Sequence, residues 1–217
     1  FPEFKEQELQ DQFVSWSSLD EYKSHFGLEK GQIADVMAIA PDLDFTEEEP
    51  VQQEVEGFPV VNIVLAESKC SGKKNESAMN KSIQQVAESV RKFFDSLRKG
   101  SLSRQVYLRR LADLYQSNVP RSRVSNAVYE ALIRDQVTLR VFGVSYVSVY
   151  SVDEANIHDT SERKSKRLKG TGLLVQETLY PSDVLRIIER TWKGFIDSPP
   201  LRLQTDNLDA QVFSVAH

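Results

Sequence analysis

The sequence predicts a mixed α/β domain in which helices flank one central sheet. Two short apolar runs, at residues 33–40 and 59–66, suit buried strands, and a helical pattern of apolar residues follows them. A further stretch rich in β-branched residues at 137–152 adds strands after the helices. With 217 residues, 40% of them hydrophobic and 27% charged, the chain fits a single domain over 1–217 and is not a wholly disordered one.

The first part of the chain predicts two short helices before the first strand. Residues 5–13 are typical of a polar helix, and residues 17–21 indicate an N-cap followed by an acidic first turn. The strand at 33–40 is almost wholly apolar apart from Asp35, which hydrophobic burial does not explain.

An acidic segment separates the two predicted strands. Residues 42–57 have neither a helical nor a strand period, so we expect a surface loop or hairpin there. The strand at 59–66 then runs directly into Glu67-Ser68-Lys69. Residues 70–77 are polar, contain a glycine and predict a loop.

Three helices follow this loop. Apolar residues spaced three and four apart predict a helix from Ser77 to about Lys99. Two more helices, at 103–117 and 121–135, form a helical insertion over 100–135.

The last part of the chain, 136–217, is expected to complete the sheet and to add a C-terminal helix. Gly143 lies within the strand-like stretch and suggests a bulge or a break between two strands. The other predicted elements are a polar loop at 153–170, a strand at 173–175, a helix from 181 and a late strand at 212–215.

The formal net charge of −5 conceals a separation of charge along the chain. Residues 1–70 carry 16 acidic and 4 basic side chains, whereas residues 71–217 carry 16 acidic and 23 basic ones. An acidic protein ordinarily repels nucleic acid, but a basic second part can bind it locally. The overall charge therefore does not exclude a nucleic-acid partner.

Asp35 and the Glu67-Ser68-Lys69 triplet form the candidate site. Side chains two apart on a strand point to the same face, so Glu67 and Lys69 project together. A divalent cation would stabilise two converging carboxylates, and Mg²⁺ commonly uses one or two of them together with water and phosphate oxygens. Such an ion lowers the pKa of its water, and a nearby lysine can orient that water or stabilise the transition state.

The segments GQIADVMAI at 31–39 and VNIVLAESK at 61–69 resemble the paired strands of the PD-(D/E)xK nuclease superfamily, which includes type II restriction enzymes, Holliday-junction resolvases and RecB-like nucleases. The resemblance covers residues 20–98, the motif-bearing core. It implies a restriction-endonuclease-like core with a helical insertion, and Mg²⁺- or Mn²⁺-dependent cleavage of phosphodiester bonds. By the same resemblance, Asp35 and Glu67 are metal ligands and Lys69 positions the attacking water.

Several assignments stay open at this point. Asp42, in a literal Pro-Asp dipeptide, competes with Asp35 as the first ligand, and we prefer Asp35 because it lies within the apolar run. Some members place a Gln on the helix after the site, which Gln85 matches loosely as a catalytic residue, with Gln84 as its competitor. Some also use a Glu from the first helix, and the eligible residues are Glu21 and Glu29.

Basic residues after the triplet are candidates for phosphate contacts. Residues 71–110 hold 10 Lys and Arg against 3 acidic residues, and a second basic group lies in the predicted loop before Gly170. Solvated helix faces and a flexible loop would explain the same composition. The candidate nucleic-acid-binding residues are Lys73, Lys74, Lys81, Arg163, Lys164, Lys166, Arg167 and Lys169.

Taken together, these features predict a Mg²⁺- or Mn²⁺-dependent endonuclease that cuts DNA, or RNA, in defence, restriction or repair. The alternative is a catalytically inactive nuclease-fold subunit that binds protein or nucleic acid, in which Glu67 and Lys69 form a simple ion pair at the end of a strand. A homodimer or a partner subunit is compatible with either. A single cysteine, the lack of a membrane-length apolar run and the lack of a signal-peptide pattern predict a cytoplasmic protein, or a nuclear one in a eukaryote.

Overall fold

The computed structural model describes residues 12–28, 33–46, 49–72, 74–149, 162–168, 172–180 and 183. Within these ranges helices flank a central mixed sheet, which confirms the predicted class of a mixed α/β domain. The helix predicted at 5–13 lies almost entirely outside the described residues. The same is true of the C-terminal helix and of the late strand at 212–215.

The described chain contains nine strands and four helices. The strands are β1 (Ser15–Ser18), β2 (Val36–Pro41), β3 (Leu43–Thr46), β4 (Glu49–Gln52), β5 (Glu54–Val55), β6 (Phe58–Ser71), β7 (Thr138–Val149), β8 (Glu162–Leu168) and β9 (Gly172–Leu179). The helices are α1 (Leu19–Tyr22), α2 (Glu76–Leu97), α3 (Arg104–Asn118) and α4 (Arg123–Ile133). The bounds of α2, α3 and α4 differ from the predicted ones by no more than two residues.

The main sheet has the strand order β1-β2-β6-β7-β9-β8, and β5 pairs with β6 beside this path. The strands β1, β2 and β6 are antiparallel neighbours, whereas β6, β7 and β9 run parallel. At the far edge, β8 runs antiparallel to β9. Parallel neighbours require a long crossover, and α2, α3 and α4 supply the one between β6 and β7.

Helix α2 covers the sheet at the point where the candidate site lies. It begins where the Asn75 side chain accepts hydrogen bonds from the backbone N–H groups of Ser77 and Ala78. Its apolar stripe includes Val86 and Val90, both fully buried in the main core. The chain turns away after the helix through Gly100, which has a positive φ of 80°.

The strand β7 is continuous through Gly143, so the predicted bulge or break is wrong. Gly143 pairs in register with Leu65 on β6 and Leu174 on β9. A Cβ atom at this position would lie 2.5 Å from a methyl carbon of Val86 and 2.5 Å from one of Leu174. The glycine is therefore needed because α2 passes very close to the sheet here.

Two further elements differ from the sequence prediction. The basic residues at 162–168 form the edge strand β8 and not a loop, because pairing with β9 orders a segment that has little apolar pattern of its own. The strand β1 was not predicted at all, and its residues pair with β2. Ser18 does precede α1 as its N-cap residue, although its side chain makes no capping hydrogen bond.

Candidate functional site

Asp35 lies immediately before β2 and not within the strand as predicted. Its backbone N–H donates to the carbonyl oxygen of Ala66 at 2.9 Å, and its own carbonyl accepts from the N–H of Leu19 at 2.8 Å. Its carboxylate oxygen Oδ2 accepts a hydrogen bond from the N–H of Ser68 at 3.3 Å. These bonds place Asp35 beside the end of β6 that carries Glu67.

Glu67 is fully buried, with 0% of its surface exposed. Its oxygen Oε1 forms an ion pair with the ammonium group of Lys69, whose side chain is 33% exposed. Among the described residues, only the carboxyl group of Asp35 lies close enough to share a proton with the remaining oxygen Oε2, which makes no hydrogen bond of good geometry. Buried carboxylate oxygens are normally satisfied, so Oε2 has the capacity to accept a further ligand.

Burial raises the pKa of Glu67 above its ordinary value of 4.5, because a low-dielectric environment disfavours the charged form. The hydrogen bond and the charge of Lys69 lower this pKa, whereas the charge of Asp35 and a hydrogen bond with its carboxyl group raise it. The net direction is upward. Asp35 is therefore close enough to Glu67 for its negative charge to disfavour the charged form of Glu67.

Glu67→Gln should make the protein more stable at pH 8. The folded protein holds a proton on Glu67 more tightly than the unfolded chain does, so the stability that this proton contributes is present below pH 4.5 and is lost as the pH rises through the raised pKa. A neutral side chain avoids that loss, and we expect a melting temperature a few degrees above that of the wild type, since 1 kcal/mol is worth about 2–4 °C in a chain of this size. Thermal unfolding followed by circular dichroism at pH 4 and pH 8 measures the effect.

The control for this experiment is Glu88→Gln, which makes the same replacement at an exposed Glu paired with Lys92 on α2. It should give no pH-dependent gain, because surface ion pairs contribute little. A Glu67→Gln protein that is less stable than the wild type at both pH values would show instead that Glu67 and Lys69 form a stabilising structural pair.

Asp42, the competing first ligand, lies at the opposite end of β2. Its carboxylate forms an ion pair with Arg140 at 2.6 Å, between Oδ2 and Nη1. Its backbone N–H bonds to the carbonyl of Val60, seven residues before Glu67 on β6. Seven residues of strand span about 23 Å, so Asp42 and Glu67 do not meet.

The acidic segment is a hairpin and lies away from the candidate site. The strands β3 and β4 pair antiparallel, which confirms the hairpin expected at 42–57. The hairpin leaves the sheet at Asp42 and returns through Gln53, whose N–H bonds to the carbonyl of Asp42. Its described acidic residues Asp42 and Asp44 thus lie at the end of β6 far from Glu67.

Gln85 is buried on the inner side of α2, whereas Gln84 is exposed. The Gln85 side-chain amide donates to the carbonyl oxygen of Ile33 at 3.3 Å, two residues before Asp35. Its own oxygen Oε1 is buried and has no hydrogen-bond partner in the described part of the chain. Of the two glutamines, the structure brings Gln85 to the site.

Neither of the two glutamates eligible as a third acidic ligand is placed at the site by the described part of the chain. Glu21 is exposed on α1, and Glu29 lies outside the described residues. Across the residues that the structure describes, no group of three or more His, Cys, Asp and Glu side chains is arranged to hold a metal ion. The fit to a cation therefore depends on two carboxylates, a number that suffices for Mg²⁺ when water and substrate complete the shell.

The basic candidates divide into three groups. Lys74 lies just before α2 and Lys81 is exposed on its second turn, at the end of the helix nearest Lys69. Lys73 and Lys169 lie outside the described residues. The residues that belong to β8 are Arg163, Lys164, Lys166 and Arg167.

A row of polar residues beside Glu67, two of them buried serines and one a half-buried glutamine, was missed by sequence reasoning. Ser145 on β7 pairs in register with Glu67, and Gln176 on β9 pairs with Ser145. From α2, Ser82 shares a hydrogen bond with Ser145 at 2.7 Å, and the carbonyl of Met79 accepts from Gln176 at 2.8 Å. The signal in the sequence was Ser82, which lies at a core-facing position of α2. A search for apolar spacing alone does not single out such a serine.

Comparisons of the chain with family models, with curated proteins and with solved structures found no match. The interpretation of the site therefore rests on its geometry and on the resemblance of its motif. Within the described ranges, none of the helices combines the length and the apolar character needed to cross a membrane.

Proposed function

We propose that this protein is a metal-dependent nuclease with a restriction-endonuclease-like core, which hydrolyses phosphodiester bonds of DNA. The observation that carries the proposal is the fully buried carboxylate of Glu67, which converges with the carboxyl group of Asp35 beside the ammonium group of Lys69. Burying a carboxylate is costly, and a second carboxyl group beside it adds to that cost, so a pair that served stability alone would gain nothing from Asp35.

The order of the elements supports the restriction-endonuclease-like part of the proposal. The antiparallel strands β2 and β6 place the two motif segments side by side, with Val36 opposite Ala66. Asp35 consequently lies next to the Glu67-Ser68-Lys69 triplet, as the resemblance to the PD-(D/E)xK superfamily requires. The helix α2 follows the triplet directly, and β7 returns parallel to β6.

Asp35 and Glu67 would hold a Mg²⁺ or Mn²⁺ ion, because hard cations take carboxylate oxygens and fill the remaining positions with water and phosphate oxygens. When bound, the ion lowers the pKa of a water molecule and offsets negative charge on the phosphate. Lys69 presents its ammonium group at the same carboxylate, where it can hydrogen-bond the attacking water. Its partial exposure leaves this side of the site open to a substrate from solvent.

The basic residues of β8 fit a role in holding the nucleic acid. Lys164 pairs in register with Gln176, so the row Glu67, Ser145, Gln176 and Lys164 crosses four neighbouring strands. With strands about 4.8 Å apart, the backbone of β8 lies about 14 Å from that of β6. Phosphate contacts at that distance would give affinity that does not depend on sequence and that weakens with salt.

Calorimetric titration with Mn²⁺ tests the metal site. We expect the wild type to bind the ion and Asp35→Asn to bind it at least about tenfold more weakly, because one of two carboxylate ligands is lost. Asp42→Asn is the matched control, since it makes the same replacement at the other end of β2. It should bind Mn²⁺ as the wild type does.

The same titration separates the nuclease from the catalytically inactive binding module. The ion pair between Lys69 and Glu67 favours the inactive alternative, because the lysine already neutralises part of the charge. A wild-type protein that binds no Mn²⁺ would support that module and contradict the nuclease. Equal binding by the wild type and Asp35→Asn would contradict the assignment of Asp35.

A further inference from the structure

Two side chains of α2 hold the segment that precedes β2. The hydroxyl oxygen of Ser89 accepts a hydrogen bond from the N–H of Ala34 at 2.9 Å. One turn earlier on the helix, the side-chain amide of Gln85 donates to the carbonyl of Ile33 at 3.3 Å. Ser89 is 0% and Gln85 is 8% exposed, so water does not replace either bond easily.

The donor and the acceptor in each of these hydrogen bonds follow from the groups involved. Ser89 uses its single proton to donate to the carbonyl of Gln85 at 3.0 Å, which leaves its oxygen to accept from Ala34. Without the hydroxyl, the N–H of Ala34 would lose this partner in a buried position, and such a loss is costly. The side-chain amide of Gln85 likewise matches a carbonyl, which can only accept.

We propose that Ser89 and Gln85 are positioning residues that hold the backbone at Ile33 and Ala34, and thereby place the carboxylate of Asp35 beside Glu67. This inference rests on the proposed function. It gives Gln85 a role through the backbone and not as a residue that contacts the metal or the substrate. The helix α2 also follows the Glu67-Ser68-Lys69 triplet in the chain. The same helix is therefore connected to the strand that carries Glu67 and bonded to the segment that precedes Asp35.

Replacement of Ser89 tests the inference with two measurements. We expect Ser89→Ala to weaken Mn²⁺ binding about 10-fold or more, the usual effect of losing a residue that orients a ligand. Amide hydrogen exchange at Ala34 and Asp35 should become faster in the same protein, because the segment is released from α2. Ser89→Thr keeps the hydroxyl and should restore both properties.

Ser125→Ala is the matched control. Ser125 is a buried serine that caps α4 and bonds to the backbone of Pro120 and Ser122. Its loss should lower thermal stability without changing Mn²⁺ affinity. Should Ser89→Ala fail to fold, Gln85→Met takes its place, since it removes the amide donor at similar volume and carries the same two expectations.

Each possible result of these experiments either supports or overturns the positioning role of Ser89 and Gln85. Unchanged Mn²⁺ affinity in Ser89→Ala overturns it and leaves the proposed function intact, and so does an equal loss of affinity in Ser125→Ala. If the wild type binds no Mn²⁺, the proposed function fails and the exchange rates decide the positioning role alone. Faster exchange confined to 33–35 then supports that role, and unchanged exchange overturns it.

Discussion

Lys69→Met is expected to reduce Mn²⁺-dependent nicking of supercoiled plasmid DNA by about 10²–10³-fold, the range found when one charge-stabilising donor is removed from an active site. The substitution removes the ammonium group while keeping most of the side-chain volume. It should not weaken Mn²⁺ binding, because the two carboxylates remain and a competing positive charge near Glu67 is gone. Glu67→Ala should abolish both nicking and Mn²⁺ binding. Gel electrophoresis of the plasmid and calorimetry give the two measurements.

The exposed residue Lys99 provides the control for this experiment, and Lys81 tests a proposed phosphate contact. Lys81 lies near the beginning of α2, and Lys99 lies beyond its end. A helix of this length spans about 33 Å, so Lys99→Met should leave nicking unchanged. Lys81→Met should reduce nicking modestly at low salt, and the difference from the wild type should shrink as the salt concentration rises, as expected when a phosphate contact is lost. If Lys69→Met and Glu67→Ala both cut the plasmid at the wild-type rate, the assigned site is wrong.

Gly143→Ala is expected to destabilise the protein by about 1–3 kcal/mol, and Gly143→Val by more, because both force extra atoms into a close-packed core. The added Cβ would lie 2.5 Å from a methyl of Val86 and 2.9 Å from one of Val90. Valine side chains on a helix have one strongly preferred rotamer, so α2 itself must move away from the sheet. Urea denaturation measures the change in the free energy of unfolding.

The double variant Gly143→Ala with Val86→Ala tests whether contact with Val86 causes the loss of stability. Removing the valine methyls makes room for the new Cβ, so the two substitutions together should cost less than the sum of their separate effects. Additive costs would show that Val86 is not the side chain that excludes a Cβ atom here, which leaves Leu174 and Val90 as the cause. We also expect Gly143→Ala to weaken Mn²⁺ binding, because a displaced α2 moves Gln85 and Ser89 away from the segment before Asp35.

Much of the fold could be predicted from local patterns. The apolar spacing of α2 and the stop near Gly100 placed that helix to within two residues, because burial of one helical face dominates such a segment. The buried strands β2 and β6 were also recognisable as apolar runs. The edge strands β1 and β8 were not, because edge positions tolerate polar and charged residues and gain their order from a neighbour.

The candidate site was predictable as a set of residue types but not as an arrangement. A carboxylate in an apolar run and a Glu-x-Lys triplet at the end of another are unusual enough to single out Asp35, Glu67 and Lys69. The choice between Asp35 and Asp42 could not be made firmly from spacing, since both precede the triplet by a plausible distance. Antiparallel pairing of β2 with β6 separates them, since it brings the beginning of β2 to Glu67 and takes its end away.

Local patterns were enough to predict the class of the fold, the three long helices and the residue types of the candidate site, because these depend on periodicity and on the cost of placing charge among apolar residues. Only the three-dimensional packing shows that Glu67 is fully buried beside Asp35, that the hairpin of β3 and β4 leaves the sheet at the end far from Glu67, and that α2 passes too close to the sheet for a side chain at Gly143. The packing also shows that Ser89 and Gln85 form hydrogen bonds with the segment before Asp35. These features depend on contacts between residues far apart in the chain, which local patterns do not encode.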